Sequence, residues 1–518
     1  MSSGYVRTIN IAGVAVFIVI LVLGLYHLVY MYDYGYVHGD EGLALSTAWR
    51  IYEGQIPVKD YFLSLPPFSY FPTVLMFHVL GVNFFAERIL TAIYAILLVF
   101  ASERLLNQYT NSTIAKCVLV SFLVPYGVLY WPFPSHHWLI SILQLISLLF
   151  MAKGLTKKSL LTGFFSGICA SLAAFTMQDQ GAYLIIALLF IFFPFIKDNI
   201  FRKKLLISWM SGIAVVVFAF CFYMLPHVSL SDLFYEFVIF PITRYKSAYW
   251  NEASFTDFGV NLIGTSAWAK IFTTDPLYGI AFAIFAIIIA VIPFVATIVL
   301  FMAYLKRWDS SEKLGLLCAG VIAFIGGCLH RFSQTYIILA APMLIVAISW
   351  ALGRMLEHRL MFNRMLSLAI IMLVVFSGIV FPARVLGRIN EDGKVLIHGS
   401  GGTIYVSAKG KDKLIQATID LIENKVGAND YLFCTGYNSI YNFWTQRKNP
   451  TKFDGFAYPE WNTKEQLDEL IVALEKNKNT FILLSPPIDE NSDFYRYLTV
   501  NYRVVGELPW AFLLAPKI

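Results

Sequence analysis

The stretch Asp33-Tyr34-Gly35-Tyr36-Val37-His38-Gly39-Asp40-Glu41-Gly42 precedes a helical run and then Tyr61-Phe62-Leu63-Ser64-Leu65-Pro66-Pro67. It separates the first strongly apolar segment of the chain, residues 11–30, from the apolar segments that follow. A connection of this length, carrying adjacent carboxylates, aromatic residues and a double proline, is unusual between apolar segments unless it works. How its far end is read decides the topology of everything after it. Residues 66–80 are apolar but short, and they either cross a bilayer or turn back at its surface.

Composition places the loop beside lipid. Of 518 residues, 58% are apolar and 14% charged, with mean hydropathy +0.66. A soluble domain of this length does not need so much apolar surface, whereas a helical bundle in a bilayer does. The first run, about 20 residues, is long enough to span and lacks a small-residue cleavage signature, so it reads as a retained helix. Further runs at 85–106, 114–130, 137–151, 160–175, 181–196, 205–225, 278–305, 314–328, 335–352 and 366–381 bring the expectation to about eleven spans.

Charge orients these spans, because Lys and Arg stay on the cytoplasmic side. With the N-terminus inside, nearly every basic cluster falls inside. They run from Arg7 and the Lys153, Lys157, Lys158 group to Arg202, Lys203, Lys204 and to Arg354, Arg359, Arg364. This holds only if 66–80 does not cross. It is therefore expected as a re-entrant or interfacial helix with Pro67 in its first turn, where a missing N–H costs little. The polar oddities then share the outer face: Asp40-Glu41, the turn with His136-His137, Gln178-Asp179-Gln180, the loop 226–277, and His330-Arg331.

The formal charge of +6 is a topology signal rather than a nucleic-acid footprint, since the basic residues lie in short clusters between apolar runs. Six cysteines without CxxC or regular spacing indicate packing, not a metal site or a disulfide framework. His136-His137 in a Trp/Pro-rich turn reads as interfacial, with no HxH or HExxH beside it. The loop 226–277 contains the aromatic and basic stretch 240–250, which fits a lid over a lipid-facing entrance or an interfacial belt of amphipathic helices. After residue 383 the composition becomes that of a soluble domain. A hairpin around 399–402, helices at 411–425, 439–445, 464–476 and 493–501, and strands at 431–435, 481–485, 503–508 and 511–514 suggest an α/β unit. The expected division is a membrane catalytic part, 1–383, with a first outer loop at 32–84 and the lid-like loop at 226–277. An extracytoplasmic α/β domain follows at 384–518.

Adjacent carboxylates on a helix point about 100° apart, which suits one general base and one organiser. The plain alternative makes Asp40 the N-cap of a helix over 42–52, with Glu41 in its first turn.

His38-Gly39-Asp40-Glu41-Gly42, Arg50 and Gly54, Pro57-Val58-Lys59-Asp60-Tyr61, Pro66-Pro67-Phe68-Ser69-Tyr70 and Phe84-Phe85-Ala86-Glu87-Arg88 resemble the opening of GT-C-type glycosyltransferases. The group meant is related to protein O-mannosyltransferases and the lipid A aminoarabinose transferase. Weaker similarity extends to Gln178–Gly181, to 326–336 and to the distal part through Asn449-Pro450-Thr451. The resemblance implies a membrane fold of that class and transfer of a sugar from a polyprenyl-phosphate donor to an acceptor hydroxyl on the outer side. It implies Asp40 as catalytic base and Glu41 as the residue that orients the acceptor or the helix. A bacterial inner membrane, with the N-terminus inside and the C-terminal domain outside, is the expected location.

The chain departs from the aminoarabinose-transferase pattern before Pro66-Pro67, where Ser64-Leu65 stand in place of a basic residue. A leaving phosphate needs cationic or N–H partners. The candidates are Arg331 with His330 first, then Lys59, Arg88, and Arg244 and Lys246 of the lid. Gln178, Asp179 and Gln180 are candidates for sugar or acceptor hydroxyls. A divalent cation is compatible with such chemistry but not indicated, for the first loop has no DxD-like cluster. The acceptor class stays open among glycan, lipid and protein. The competing class is a transporter or lipid flippase, against which stand the lack of matched halves and the one-sided distribution of polar groups.

Overall fold

The computed structural model describes residues 39–63, 65–112, 115–116, 118–120, 123, 133–196, 199–244, 276, 311–329, 341–351, 393–408, 414–458, 461–485 and 490–517. The expected spans at 11–30, 278–305 and 366–381 lie outside these residues, as do most of 114–130 and part of 335–352.

The described part of the loop expected on the outer side is largely helical. Helix α1 covers Asp40–Tyr52; after a turn, a single 3-10 turn at Pro67–Ser69 leads into α2, Phe71–Leu80. Pro67 opens the 3-10 turn and Pro72 lies in the first turn of α2, positions where the missing N–H removes no helical bond. Gly81, at φ 82°, ends α2, and Asn83 caps the next helix by accepting from the Ala86 N–H at 2.9 Å.

The membrane part is a bundle of α3 (Phe84–Leu106), α4 (His136–Lys157), α5 (Leu160–Ala174), α6 (Gln178–Ile196) and α7 (Ile200–Met224). Among the described residues α3, α4 and α7 are each long and apolar enough to cross a bilayer. Helices α5 and α7 cross closely at two glycines. A Cβ on Gly167 would lie 1.9 Å from the Trp209 carbonyl oxygen, and one on Gly212 would lie 2.1 Å from that of Phe164. Most of α7's other face is exposed, with Phe218 and Phe222 among its outward residues, as expected of a helix facing lipid.

After α7 the chain forms α8 (Leu230–Phe234), a π-helical turn at Tyr235–Ile239, and α9 (Phe240–Arg244). The described portion of the lid-like loop is thus helical, where the sequence showed no strong periodicity. Short helices with apolar residues on several sides leave no 3.6-residue stripe to read. Helices α10 (Ser311–Leu329) and α11 (Ala341–Ala351) complete the described bundle.

The chain then forms a hairpin, β1 (Lys394–Gly399) with β2 (Gly402–Ser407), antiparallel in the register Lys394 to Ser407. Next come α12 (Ile415–Lys425), β3 (Tyr431–Cys434), α13 (Ile440–Thr445), α14 (Lys464–Lys476), β4 (Thr480–Leu484), α15 (Asp493–Asn501), β5 (Tyr502–Leu508) and β6 (Ala511–Pro516). Four of these strands make one sheet in the order β3-β4-β6-β5; β3 and β4 are parallel and the other pairs antiparallel. A capping box between Thr463 and Gln466 starts α14.

One hydrophobic core joins this C-terminal layer to the first outer loop. Leu45, Ala48, Trp49, Tyr61, Phe77 and Phe84 pack in the same cluster as Ile397, Ile419, Leu432, Phe443, Trp444 and Leu513. Phe77 stacks on Phe443 at 6.0 Å, and Phe84 meets it edge-on at 5.3 Å. The core therefore continues across the boundary drawn at 383.

Candidate active site on the first outer loop

Two adjacent carboxylates have opposite surroundings. Helix α1 begins at Asp40, with Gly39 at the cap position (φ 20°, ψ −67°) and no side chain capping it. Asp40 is therefore the first helical residue and not the N-cap considered from the sequence; it lies exposed in the first turn, where a negative charge is favoured. Glu41 is fully buried and forms an ion pair with Arg88 of α3. The rotation of about 100° between successive residues separates the two.

Arg88 is 1% exposed and also meets Glu87 at 3.2 Å. The buried guanidinium of Arg88 fastens α1 to α3 through Glu41, because removing it would leave buried carboxylates without their cation. This corrects the expectation that Arg88 faces a donor phosphate: its guanidinium is occupied inside the protein. Glu41, expected to orient the acceptor or the helix, has its carboxylate on Arg88 of α3.

The other end of α1 is fastened to the C-terminal layer. Arg50, buried, meets Asp454 at 3.1 Å and donates to the Thr451 carbonyl at 2.8 Å. Its guanidinium also lies 5.6 Å from the centre of the Tyr61 ring. The loop that receives it is built by Asn449, whose Oδ1 accepts from the Thr451 N–H at 2.9 Å and whose Nδ2 donates to Phe453 O and Asp454 Oδ1. Burial pushes the Asp454 carboxyl up from its ordinary value, against the opposing pull of Arg50 and Asn449. Burial also raises the Tyr70 phenol, with further upward pushes from Asp454 and Asp40, which puts all three in one electrostatic neighbourhood.

A third tie comes from the helices after α7. Leu63 N–H donates to the buried Glu236 carboxylate at 3.0 Å, and Phe62 N–H donates to the Lys452 carbonyl at 2.7 Å. Phe62 packs edge-on against Phe240, which in turn meets Trp461 at 5.1 Å. Burial raises the Glu236 carboxyl well above its ordinary value; the Leu63 N–H and Lys452 act in the opposite direction.

The remaining candidates fall as follows. Lys59 is exposed in the turn between Pro57 and Tyr61, which Val58 at φ 69° closes. Arg244 is half-buried at the end of α9. Gln178, Asp179 and Gln180 form the first turn of α6: Gln178 Nε2 donates to the Phe237 carbonyl at 3.2 Å, and Asp179 Oδ1 accepts from the Gln180 N–H at 2.7 Å. Gln180 is 2% exposed, and its main-chain carbonyl accepts from Gln144 Nε2 of α4 at 3.1 Å. His330, Arg331 and Lys246 lie outside the described residues. Among the described residues no three His, Cys, Asp or Glu side chains gather in a metal-binding group.

Sequence reading did not single out Asp454, Glu236 or Tyr437, which flank this loop. Glu236 had one available signal, a lone carboxylate between Phe234-Tyr235 and Phe237. Asp454 and Tyr437 had none, since both act through contacts some 400 residues away in sequence.

No protein-family model matches the chain, and comparison with curated proteins found no match. Solved structures do match. The crystal structure of ArnT from Cupriavidus metallidurans bound to undecaprenyl phosphate superposes with a TM-score of 0.57 at 13% identity, covering 99% of this chain and 98% of that one. The apo state of the same protein gives a TM-score of 0.53 with the same identity and coverage. The chain thus has, over its whole length, the GT-C-type membrane fold of that transferase.

Proposed function

We propose that this chain is a glycosyltransferase that moves a sugar from a polyprenyl-phosphate donor to an acceptor hydroxyl on the outer side of a membrane. The observation that carries this reading is the exposed Asp40 at the start of a helix fastened on both sides, within a fold shared end to end with a transferase holding undecaprenyl phosphate.

Asp40 serves as the general base. Its carboxylate accepts the proton of the acceptor hydroxyl while that oxygen bonds to the anomeric carbon of the donor sugar. The bond from that carbon to the donor phosphate breaks at the same time, its electron pair leaving with the phosphate, and configuration is inverted. Glu41 takes no part in proton transfer; through Arg88 it fixes where α1 starts. The departing phosphate is met by cations, for which Lys59, Arg244, Lys246, and Arg331 with His330 are the candidates. The topology that goes with this chemistry has about eleven spans, the N-terminus inside and the C-terminal layer outside. A bacterial cytoplasmic membrane is the corresponding location.

Asp40→Asn tests the assignment. Removing a general base lowers the rate by about 10²–10⁴-fold, and the exposed position leaves folding and insertion intact. Mass analysis of envelope glycans and lipid carriers, with thermal unfolding of the purified variant, reads both. Full transfer by Asp40→Asn would sink Asp40 as the base.

A further inference from the structure

The C-terminal layer reaches the start of α1 through one loop. Strands β3 and β4 are parallel, and the crevice outside the carboxyl ends of such strands is where open α/β sheets receive ligands. The loop after β3 is Thr435-Gly436-Tyr437-Asn438, and it leaves the strand through Gly436 at φ 65°, a conformation that glycine adopts without strain. It is fixed from beneath. Asn438 Nδ2 donates to the Thr435 carbonyl and to Ser485 Oγ, both at 2.8 Å, and the Ser485 N–H donates to Thr435 Oγ1 at 2.9 Å.

Tyr437 stands on this fixed loop, against the residue that precedes Asp40. A Cβ on Gly39 would lie 3.2 Å from Tyr437 Cβ, and one on Gly455 would lie 3.7 Å from the Tyr437 ring. Two glycine backbones thus confine the side chain, yet it remains 39% exposed. Asp40 is exposed beside it. An aromatic ring immobilised before anything binds loses little freedom on contact, so its open surface is a ready platform.

We propose that Tyr437 contacts the acceptor, packing on the sugar ring that bears the hydroxyl deprotonated by Asp40. The acceptor is then a glycan, or the sugar headgroup of a glycolipid. The inference rests on the transferase reading and narrows it. A base must lie within about 3 Å of the oxygen whose proton it takes, so the acceptor covers the residues flanking Asp40. Tyr437 flanks Asp40 on the side of the C-terminal layer, whereas a polyprenyl donor comes from the membrane. Asn438 of the loop and Ser485 after β4 beneath it are uncharged, and Arg50 and Asp454 neutralise each other below the surface. Such a surface suits a neutral ring of hydroxyls.

The test uses the full chain in membranes, with a photo-crosslinking benzoylphenylalanine in place of Tyr437 and mass spectrometry of the adduct. A sugar adduct is expected; attached acyl chains would identify a glycolipid and their absence a free glycan. An adduct of peptide alone, or of phospholipid alone, would overturn the proposal. In parallel, Tyr437→Ala should raise the acceptor KM about five- to tenfold, the weight of one aromatic contact. The kcat and the affinity for undecaprenyl phosphate should stay unchanged, and Tyr437→Trp should restore the KM. An unchanged KM, or a loss shared equally by donor affinity and stability, counts against it. A sugar adduct on a protein that transfers nothing would remove the transferase reading alone. Transfer without an adduct and with an unchanged KM would remove the role of Tyr437 alone.

Discussion

The two ends of α1 carry opposite kinds of charge in opposite surroundings. At its C-terminal end Arg50 is buried, meets a carboxylate, donates to main-chain oxygens and lies over a ring. At its N-terminal end Asp40 is exposed, on a first turn that no side chain caps. Between them Glu41 ties the helix to α3. A reacting group must be positioned to a fraction of an ångström but must also admit its substrate. The helix meets both demands by burying Glu41 and Arg50 in ion pairs while its first residue stays exposed.

Breaking the fastened end should have the largest effect on stability. Arg50→Ala leaves Asp454 buried without its cation and should lower stability by about 3–5 kcal/mol, read by thermal unfolding in detergent. Adding Asp454→Asn should recover part of that loss, since the second change removes the stranded charge. If Arg50→Ala unfolds like the parent, the contrast between the two ends fails. A smaller effect is expected near the open end, where a Cβ on Gly42 would lie 2.6 Å from Ile440 Cβ. Gly42→Ala should lower stability by about 1–3 kcal/mol through overpacking and lift α1 from α13. Transfer should fall with it while donor binding persists, and an equally active, equally stable variant would show that the docking is loose.

The mildest effect concerns Glu236, which holds the chain leaving α1. Its carboxyl is raised in the folded protein, so the native state keeps a proton that the unfolded chain has already lost. Its contribution therefore makes stability fall as pH rises from the ordinary Glu value, about 4.3, toward the raised one. Glu236→Gln keeps an oxygen for the Leu63 N–H and removes the charge, so it should flatten that slope in unfolding measured against pH. A slope identical to the parent's would assign it to other groups.

Local signals account for what could be read before the structure. The hairpin was legible because Gly399-Ser400-Gly401-Gly402 lies between two short apolar runs, and the register Lys394 to Ser407 follows from that turn. Helix α14 was legible as a helix over 464–476, and the structure adds the Thr463 capping box that starts it. The short helix after Pro66 was legible as a helix from its apolar run and its opening prolines. The site divides along the same line. Asp40 and Glu41 stood out as a pair, but their different burial depends on Arg88, 47 residues on. Arg50 carried a family resemblance without a partner, because nothing in the sequence joins it to Asp454. Long-range ion pairs leave no periodicity, and a single sequence has no other channel through which to show them.

The hydrogen bond from Arg50 to Thr451 spans 401 residues of chain, which sets an order of events during synthesis. At ribosomal speeds of about 5–20 residues per second, the helix bearing Asp40 waits roughly 20–80 seconds for the segment that completes it. During that interval Arg50, Trp49 and Phe77 lack the surface they later bury. A chain truncated anywhere before residue 449 would lack the loop that receives Arg50, so α1 would be left without its fastening to the C-terminal layer.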